Sequence, residues 1–341
     1  MKKRMKKLSA ILMACAMAVS MLTGCGSSNE SQDNTKETEP VEVNVTALKG
    51  PTAMGMVSLM DDVDNGKVDS ENYKFTIAAS IDEVTPAISQ GETDIAAVPA
   101  NVASVLYNKL EGGVQVLAVN TLGVLYIVEN GDTVQSAADL KGKTIYASGK
   151  GATPEYALNY ILQQNGLDPA ADVTIEWKSE HSECVAALAQ DPSGIAMLPQ
   201  PFVTTAQMKN PDLRVALDLT EEWDKVQEDA QEPGALLTGV VVVRTEFAKE
   251  NPEAVSDFLE RYKASVDFVN ENVDEAAQLV GQYDIVTAEV AQTAIPECNI
   301  VCITGDEMQE KLSGYLSALN DQNPEAVGGK LPDDEFSYTG E

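Results

Sequence analysis

Residues 143–164 read KTIYASGKGATPEYALNYILQQ, and the fold turns on them. Thr144, Ile145, Tyr146 and Ala147 favour extended structure. Ser148, Gly149, Lys150 and Gly151 form a glycine-rich turn. Thr153 is placed to cap a helix, with Pro154 at the first helical position, where its missing N–H costs nothing. From Glu155 onward Tyr156, Ala157, Tyr160 and Ile161 recur at helical spacing. Strand, glycine loop and helix start follow in order, so free amides and a hydroxyl collect at the carboxyl end of a strand. Open α/β sheets bind ligands there. Taken alone, the stretch also fits an ordinary βα connection whose glycines only make the turn.

The arrangement recurs on both sides of this stretch. Upstream, Val41–Leu48 alternates as a first strand, LysGlyProThr at 49–52 turns, and a helix runs from Ala53 to about Asp62. Tyr73–Ala79 is a strand, Ser80 caps a helix to Ser89, and Pro86 implies a kink in it or a short first piece. Asp94–Pro99 is a short apolar strand of the buried, parallel kind, followed by a helix capped by Asn101. Val114–Thr121 and Leu125–Glu129 are strands broken at Gly123. Downstream, Asp172–Lys178 is a strand, Ser179–Gln190 a helix, and Gly194–Pro199 a second short apolar strand. Its GIAMLPQP echoes the earlier DIAAVPAN. Leu213–Leu219 and Thr238–Arg244 are strands, the chain is then largely helical to Leu319, and the tail NPEAVGGKLPDDEFSY ends in loops.

Alternating strands and helices in two runs give an α/β protein with mostly parallel sheets flanked by helices. Two crossings, near 122–128 and 236–240, imply two lobes and a hinge. Lobe 1 comprises 41–123 and 240–341, and lobe 2 comprises 124–239. The ligand cleft lies between them.

The N-terminus reads as a targeting signal. Met1–Lys7 is basic, Leu8–Met21 is apolar but too short to span a bilayer, and Leu22-Thr23-Gly24-Cys25 closes it. The tetrapeptide LTGC resembles a bacterial lipoprotein box, which implies cleavage of signal 1–24 and acylation of Cys25. Residues 25–40 are polar, without aromatic or large aliphatic side chains, and read as a flexible tether. The expected location is the extracytoplasmic face of the cell membrane, held by lipid.

The chain carries a net charge of −31, and loss of the five basic residues in 1–24 takes it to −36. A polyanion binds nucleic acid poorly. Such charge suits a self-repelling monomer outside the cytoplasm. Cys184, Cys298 and Cys302 remain after Cys15 and Cys25 are accounted for, and their spacing does not make a metal site. No metal and no cofactor is expected.

His181 is the single histidine, so no Ser–His–Asp order, HExxH or Walker loop can be assembled from motifs. It stands at a helix start after Trp177, where it either faces the cleft or is a solvated first-turn residue. The inventory therefore favours binding over catalysis. The expected strand ends carry Lys49–Ala53, Ser80–Asp82, Pro99–Asn101, Ser148–Thr153, Ser179–His181 and Pro199–Pro201. Each combines a helix N-terminus with small polar residues, and one such terminus favours an anion by roughly 0.3–1 kcal/mol.

The motifs LKGPTAMG, GETDIAAVPANVASVLYNK, LKGKTIYASGKGATPEYAL and GIAMLPQPFVTTA, behind a lipobox, resemble substrate-binding lipoproteins of ABC importers. The group concerned handles nitrate, taurine, alkanesulfonates and the thiamine pyrimidine precursor. The resemblance implies a type II periplasmic-binding-protein fold, a small molecule or anion held between lobes, and delivery to an ABC permease in the membrane. It implies ligand contacts at Thr52, Ala53, Ser80, Pro99 and Asn101 in lobe 1, at Gly151, Thr153, Gln200 and Pro201 in lobe 2, and at Thr121 near a crossing. Few basic residues stand at these ends, only Lys49, Lys150 and Lys178, so a neutral or zwitterionic heterocycle stacked on Trp177, Tyr156 or Phe202 fits as well as an oxyanion. The alternatives are a binding module for a membrane sensor, or an enzyme of the thiamine-pyrimidine or menaquinone type on this fold.

Overall fold

The structure is a computed structural model that describes residues 41–68, 73–228 and 234–340. The expected signal, the tether and Cys25 lie outside the described residues. The first sheet has the order β11-β4-β10-β3-β1-β2 and the second β7-β6-β8-β5-β9. The strands of the first sheet are β1 (Val43–Leu48), β2 (Tyr73–Ala78), β3 (Ile95–Pro99), β4 (Val114–Leu122), β10 (Leu237–Arg244) and β11 (Ile300–Ile303). Those of the second are β5 (Leu125–Glu129), β6 (Thr144–Ser148), β7 (Thr174–Lys178), β8 (Ile195–Pro199) and β9 (Arg214–Asp218). Within each sheet most strands run one way. The exceptions are β10 and β11 in the first, antiparallel to β4, and β5 in the second, antiparallel to β8 and β9. The chain passes from the first sheet to the second between Leu122 and Leu125, and β10 opens at Leu237 on the return.

Helices follow the parallel strands. In the first half they are α1 (Pro51–Met54), α2 (Val57–Asp64), α3 (Ile81–Gln90) and α4 (Ala100–Lys109). In the second they are α5 (Thr153–Gln164), α6 (His181–Gln190), α7 (Phe202–Lys209) and α8 (Leu219–Gln227). The remainder is α9 (Thr245–Glu250), α10 (Pro252–Glu271), α11 (Val273–Gln282), α12 (Ala288–Ala294) and α13 (Gly305–Gln322).

The strands β3 and β8 are buried along their whole length, as their unbroken apolar runs require when helices cover both faces. One apolar cluster packs α1, α2, α10, α11 and α12 on the outer face of the first sheet, and a small one packs α6 and α7 on the second. The third joins the two halves: Val98 and Val240 of the first sheet, Ile127 and Ile145 of the second, α5, and Leu312, Tyr315 and Leu319 of α13 share it.

Four local expectations are corrected. Thr153 is not the N-cap of α5; Ala152 holds that place, and Thr153 is the first helical residue. Asn101 lies inside α4, whose N-cap is Pro99. Pro86 sits within α3, which runs as one helix from Ile81 to Gln90 and does not open with a short separate piece. The strand β11, inside the segment read as helical, was not expected; it pairs with the edge of β4.

Candidate functional site

The site follows from what the parallel strands leave at their carboxyl ends. Behind β1 the chain turns at Gly50, and the Thr52 hydroxyl donates back to the Leu48 carbonyl at 2.6 Å. The Thr52 carbonyl accepts from Asn120 Nδ2 at 3.4 Å, and Asn120 Oδ1 accepts from the Thr121 hydroxyl at 3.1 Å. A Cβ on Gly239 would stand 2.5 Å from both Asn120 Oδ1 and Thr52 Cγ2, so only glycine lets β10 approach here. Thr52 and Thr121 are thus brought together. Asn120 and Gly239, which join them, were missed because a buried asparagine inside an apolar strand carries no local signal. Ala53 is fully buried in the cluster behind the sheet. Ser80 stands apart, half-exposed, with its hydroxyl on Glu83 Oε1 at 3.4 Å.

The second group joins the two sheets. Asn101 is fully buried at the start of α4, and its Nδ2 donates to the Gly151 carbonyl at 3.4 Å and the Ala326 carbonyl at 3.1 Å. Thr153 is also fully buried, with its hydroxyl 2.8 Å from Tyr315 Oη and 3.5 Å from Asn101 Oδ1. Burial pushes the Tyr315 hydroxyl well above the ordinary tyrosine range, so it keeps its proton and is free to donate to Thr153. The order Tyr315 to Thr153 to Asn101 then satisfies all three groups. The glycine loop before α5 places Gly151 at this seam; Gly149 and Gly151 both take left-handed backbone, and the Gly151 amide donates to Glu155 Oε2 at 2.6 Å. Of the residues singled out in the sequence, Asn101, Gly151 and Thr153 meet here. Tyr315 and the Ala326 carbonyl are additions.

The third group belongs to the second sheet. Gln200 follows β8, its backbone amide donating to the Val124 carbonyl at 3.0 Å and its Oε1 accepting from the Thr204 hydroxyl at 2.9 Å. Pro201 is buried at the start of α7. His181 Nδ1 lies 2.5 Å from Ser148 Oγ, and its ring packs at 5.0 Å against Phe202. It is therefore half-buried, with one face of its ring packed at the strand ends. Desolvation lowers its pKa to about 4, so it is neutral at pH 7. Burial pushes the nearby Cys184 thiol up to about 11, against the Ser148 hydroxyl, which lowers it. Ser148 and His181 form a hydroxyl–imidazole pair, but Ser148 is 2% exposed and the imidazole is too weak a base to activate it near neutrality.

The three aromatic candidates do not gather. Phe202 meets His181, while Trp177 and Tyr156 pack against the cluster that joins the sheets. Tyr156 also lines an open groove of about 350 Å³ with Glu155, Asn159, Gln163, Gln322 and Asn323, beside α5 and away from the ten candidate residues apart from their neighbour Glu155. Lys178 bonds Glu176 at 3.1 Å and lies over the Tyr146 ring, while Lys49 and Lys150 are exposed.

A family model described as ABC transporter, phosphonate, periplasmic substrate-binding protein matches residues 66–292. Among curated protein sequences, none matches the chain significantly. Many solved structures share the fold. An ABC transporter protein from Parabacteroides distasonis is 22% identical with a TM-score of 0.69, over 87% of this chain and 99% of its own. The periplasmic aliphatic sulphonate binding protein SsuA of Escherichia coli is 14% identical with a TM-score of 0.65, over 85% and 96%. The periplasmic nitrate-binding protein NrtA of Synechocystis PCC 6803 is 13% identical with a TM-score of 0.58, over 74% and 69%. At these identities the likeness is one of fold: two-lobed α/β, as the strand pattern implies.

Proposed function

Because the chain belongs to the phosphonate periplasmic substrate-binding family of ABC transporters, we propose that it captures a small anion or an organic compound bearing one, and hands it to an ABC permease. The observation that carries this reading is the family match over residues 66–292, and the fold supports it by setting helix starts behind β1, β3, β6 and β8. Helix starts present amides and positive dipole ends, which suit oxyanions. The ligands for which the related proteins are named, an aliphatic sulphonate and nitrate, are of that kind.

In this reading the lobes are 41–123 with 240–341, and 124–239. Thr52, Ser80, Thr121, Gly151, Gln200 and Pro201 contact the ligand. Ala53, Pro99, Asn101 and Thr153 back them, and the neutral His181 with Phe202 walls one side. The protein acts as a monomer without catalysis, tethered to the extracytoplasmic face of the membrane by lipid on Cys25.

Native mass spectrometry of the purified protein, followed by calorimetry with methylphosphonate, ethanesulfonate, nitrate and any co-purified compound, tests the ligand class. At least one oxyanion binding near micromolar Kd, about 8 kcal/mol, is the expected result. Capture of only neutral heterocycles, or turnover of a bound compound, overturns the reading.

A further inference from the structure

The tail read from sequence as loops is built into the candidate site. Residues 324–338 lie along α4, held by side chains one and two turns apart on one face of that helix. Asn101 Nδ2 donates to the Ala326 carbonyl, Ser104 Oγ to the Val327 carbonyl at 2.8 Å, and Asn108 Nδ2 to the carbonyls of Val327 at 2.8 Å and Lys330 at 2.7 Å. Tyr107 Oη donates to Asp333 Oδ1, and its ring meets Phe336 edge-on at 5.2 Å. Beyond α4, Gln115 donates to the Glu335 carbonyl at 3.0 Å, and the Tyr338 amide to the Val116 carbonyl at 3.0 Å. Ala326 and Val327 are fully buried. The close approach demands Gly328: its φ is +85°, and a Cβ there would stand 3.0 Å from Val105 Cα.

The geometry points to this C-terminal strap as a positioning element of the inter-sheet seam, acting through the Ala326 carbonyl on Asn101. The Asn101 amide group has two donor hydrogens. One is spent on the strap and one on Gly151, while Oδ1 takes the Thr153 hydroxyl. With the strap seated, the amide plane is fixed, and only one orientation serves the start of α5. With the strap lifted, Asn101 loses its shortest bond and is held only by its two longer ones, so the loop before α5 has a less firmly fixed partner. The coupling from strap to seam stands on geometry alone. Only its meaning for ligand capture rests on the function proposed above.

Hydrogen exchange of the ligand-free protein tests the coupling without any ligand. The variant Gly328→Val lifts the strap, and Ser104→Ala with Asn108→Ala removes three of its bonds while leaving its backbone intact. None of these residues touches α5 in the hydrogen bonds described. The expected result is exchange about tenfold faster at the amides of Gly151, Ala152, Glu155 and Tyr156, with the central strands β6 and β8 unchanged. Acceleration confined to 100–110 and 324–338 overturns the proposal. So does equal acceleration everywhere, which would mean that the strap only adds to global stability. If Gly328→Val does not fold, the double alanine variant decides by the same readout.

Discussion

The buried chain of Tyr315, Thr153 and Asn101 yields a prediction that separates two roles for Thr153. If its hydroxyl were a helix cap, removing it would cost about 0.5–2 kcal/mol, and Tyr315 would be irrelevant. In the structure the hydroxyl faces Tyr315 Oη at 2.8 Å, and both residues are fully buried. Thr153→Val keeps the volume and β-branching and strips Tyr315 of its partner. A buried hydroxyl left without a partner costs about 1–3 kcal/mol. Tyr315→Phe leaves Thr153 with only the long contact to Asn101, and costs about 0.5–1.5 kcal/mol. The double variant removes both ends of the bond, which is nearly neutral when shape is kept. It should therefore be less destabilised than the two single changes added together, by about 1 kcal/mol or more.

Urea unfolding of the four proteins measures this, read from midpoints at constant slope. In a chain this long each kcal/mol also moves Tm by about 2 °C. Additivity within about 0.3 kcal/mol would refute the argument, because uncoupled sites add to that degree. Thr153→Ser keeps the hydroxyl and should lie close to wild type. A large loss in that variant would also count against the hydrogen bond and for packing of the Thr153 methyl.

Two further outcomes are expected. His181 has a folded pKa depressed to about 4 against 6.5 unfolded, so the unfolded chain binds the extra proton between those values and stability falls as pH drops through that window. His181→Gln should lose that part of the slope, up to about 1.4 kcal/mol per pH unit, in denaturation measured from pH 7 to 4; identical slopes would contradict a desolvated imidazole. Cys25→Ser should release the protein from membranes in cell fractionation, and a variant that stays membrane-bound would remove Cys25 as the anchor.

Much of the fold is legible because its strands advertise themselves. IAAVP and IAMLP at β3 and β8 are apolar without alternation, which only a doubly covered strand tolerates, and each is followed by a helix. The passage from β4 to β5 is readable because Gly123 interrupts two strand-like runs. The misses share one physical cause, the victory of distant partners over local preference. Ile300–Ile303 is a strand because β4 offers an open edge, not because IVCI stands out among helices. Thr153 ignores its own helix because Tyr315, 162 positions away, supplies a buried partner. The strap was opaque because three of the α4 side chains that hold it bond backbone carbonyls, and sequence does not say which carbonyl will pass by.

The same long-range contacts bear on how far the two halves can move. Two chain crossings would permit rigid-body closure if the halves met only across solvent. Here α13 carries Leu312, Tyr315 and Leu319 into a cluster that holds Val240 of the first sheet and Ile145 of the second. Buried apolar contact is worth about 25 cal/mol per Å² removed from water. Swinging the halves apart at α13 would expose that surface and break the Tyr315–Thr153 bond together. Motion that leaves α13 seated keeps both. The inexpensive movement therefore leaves α13 seated and the Tyr315–Thr153 bond closed.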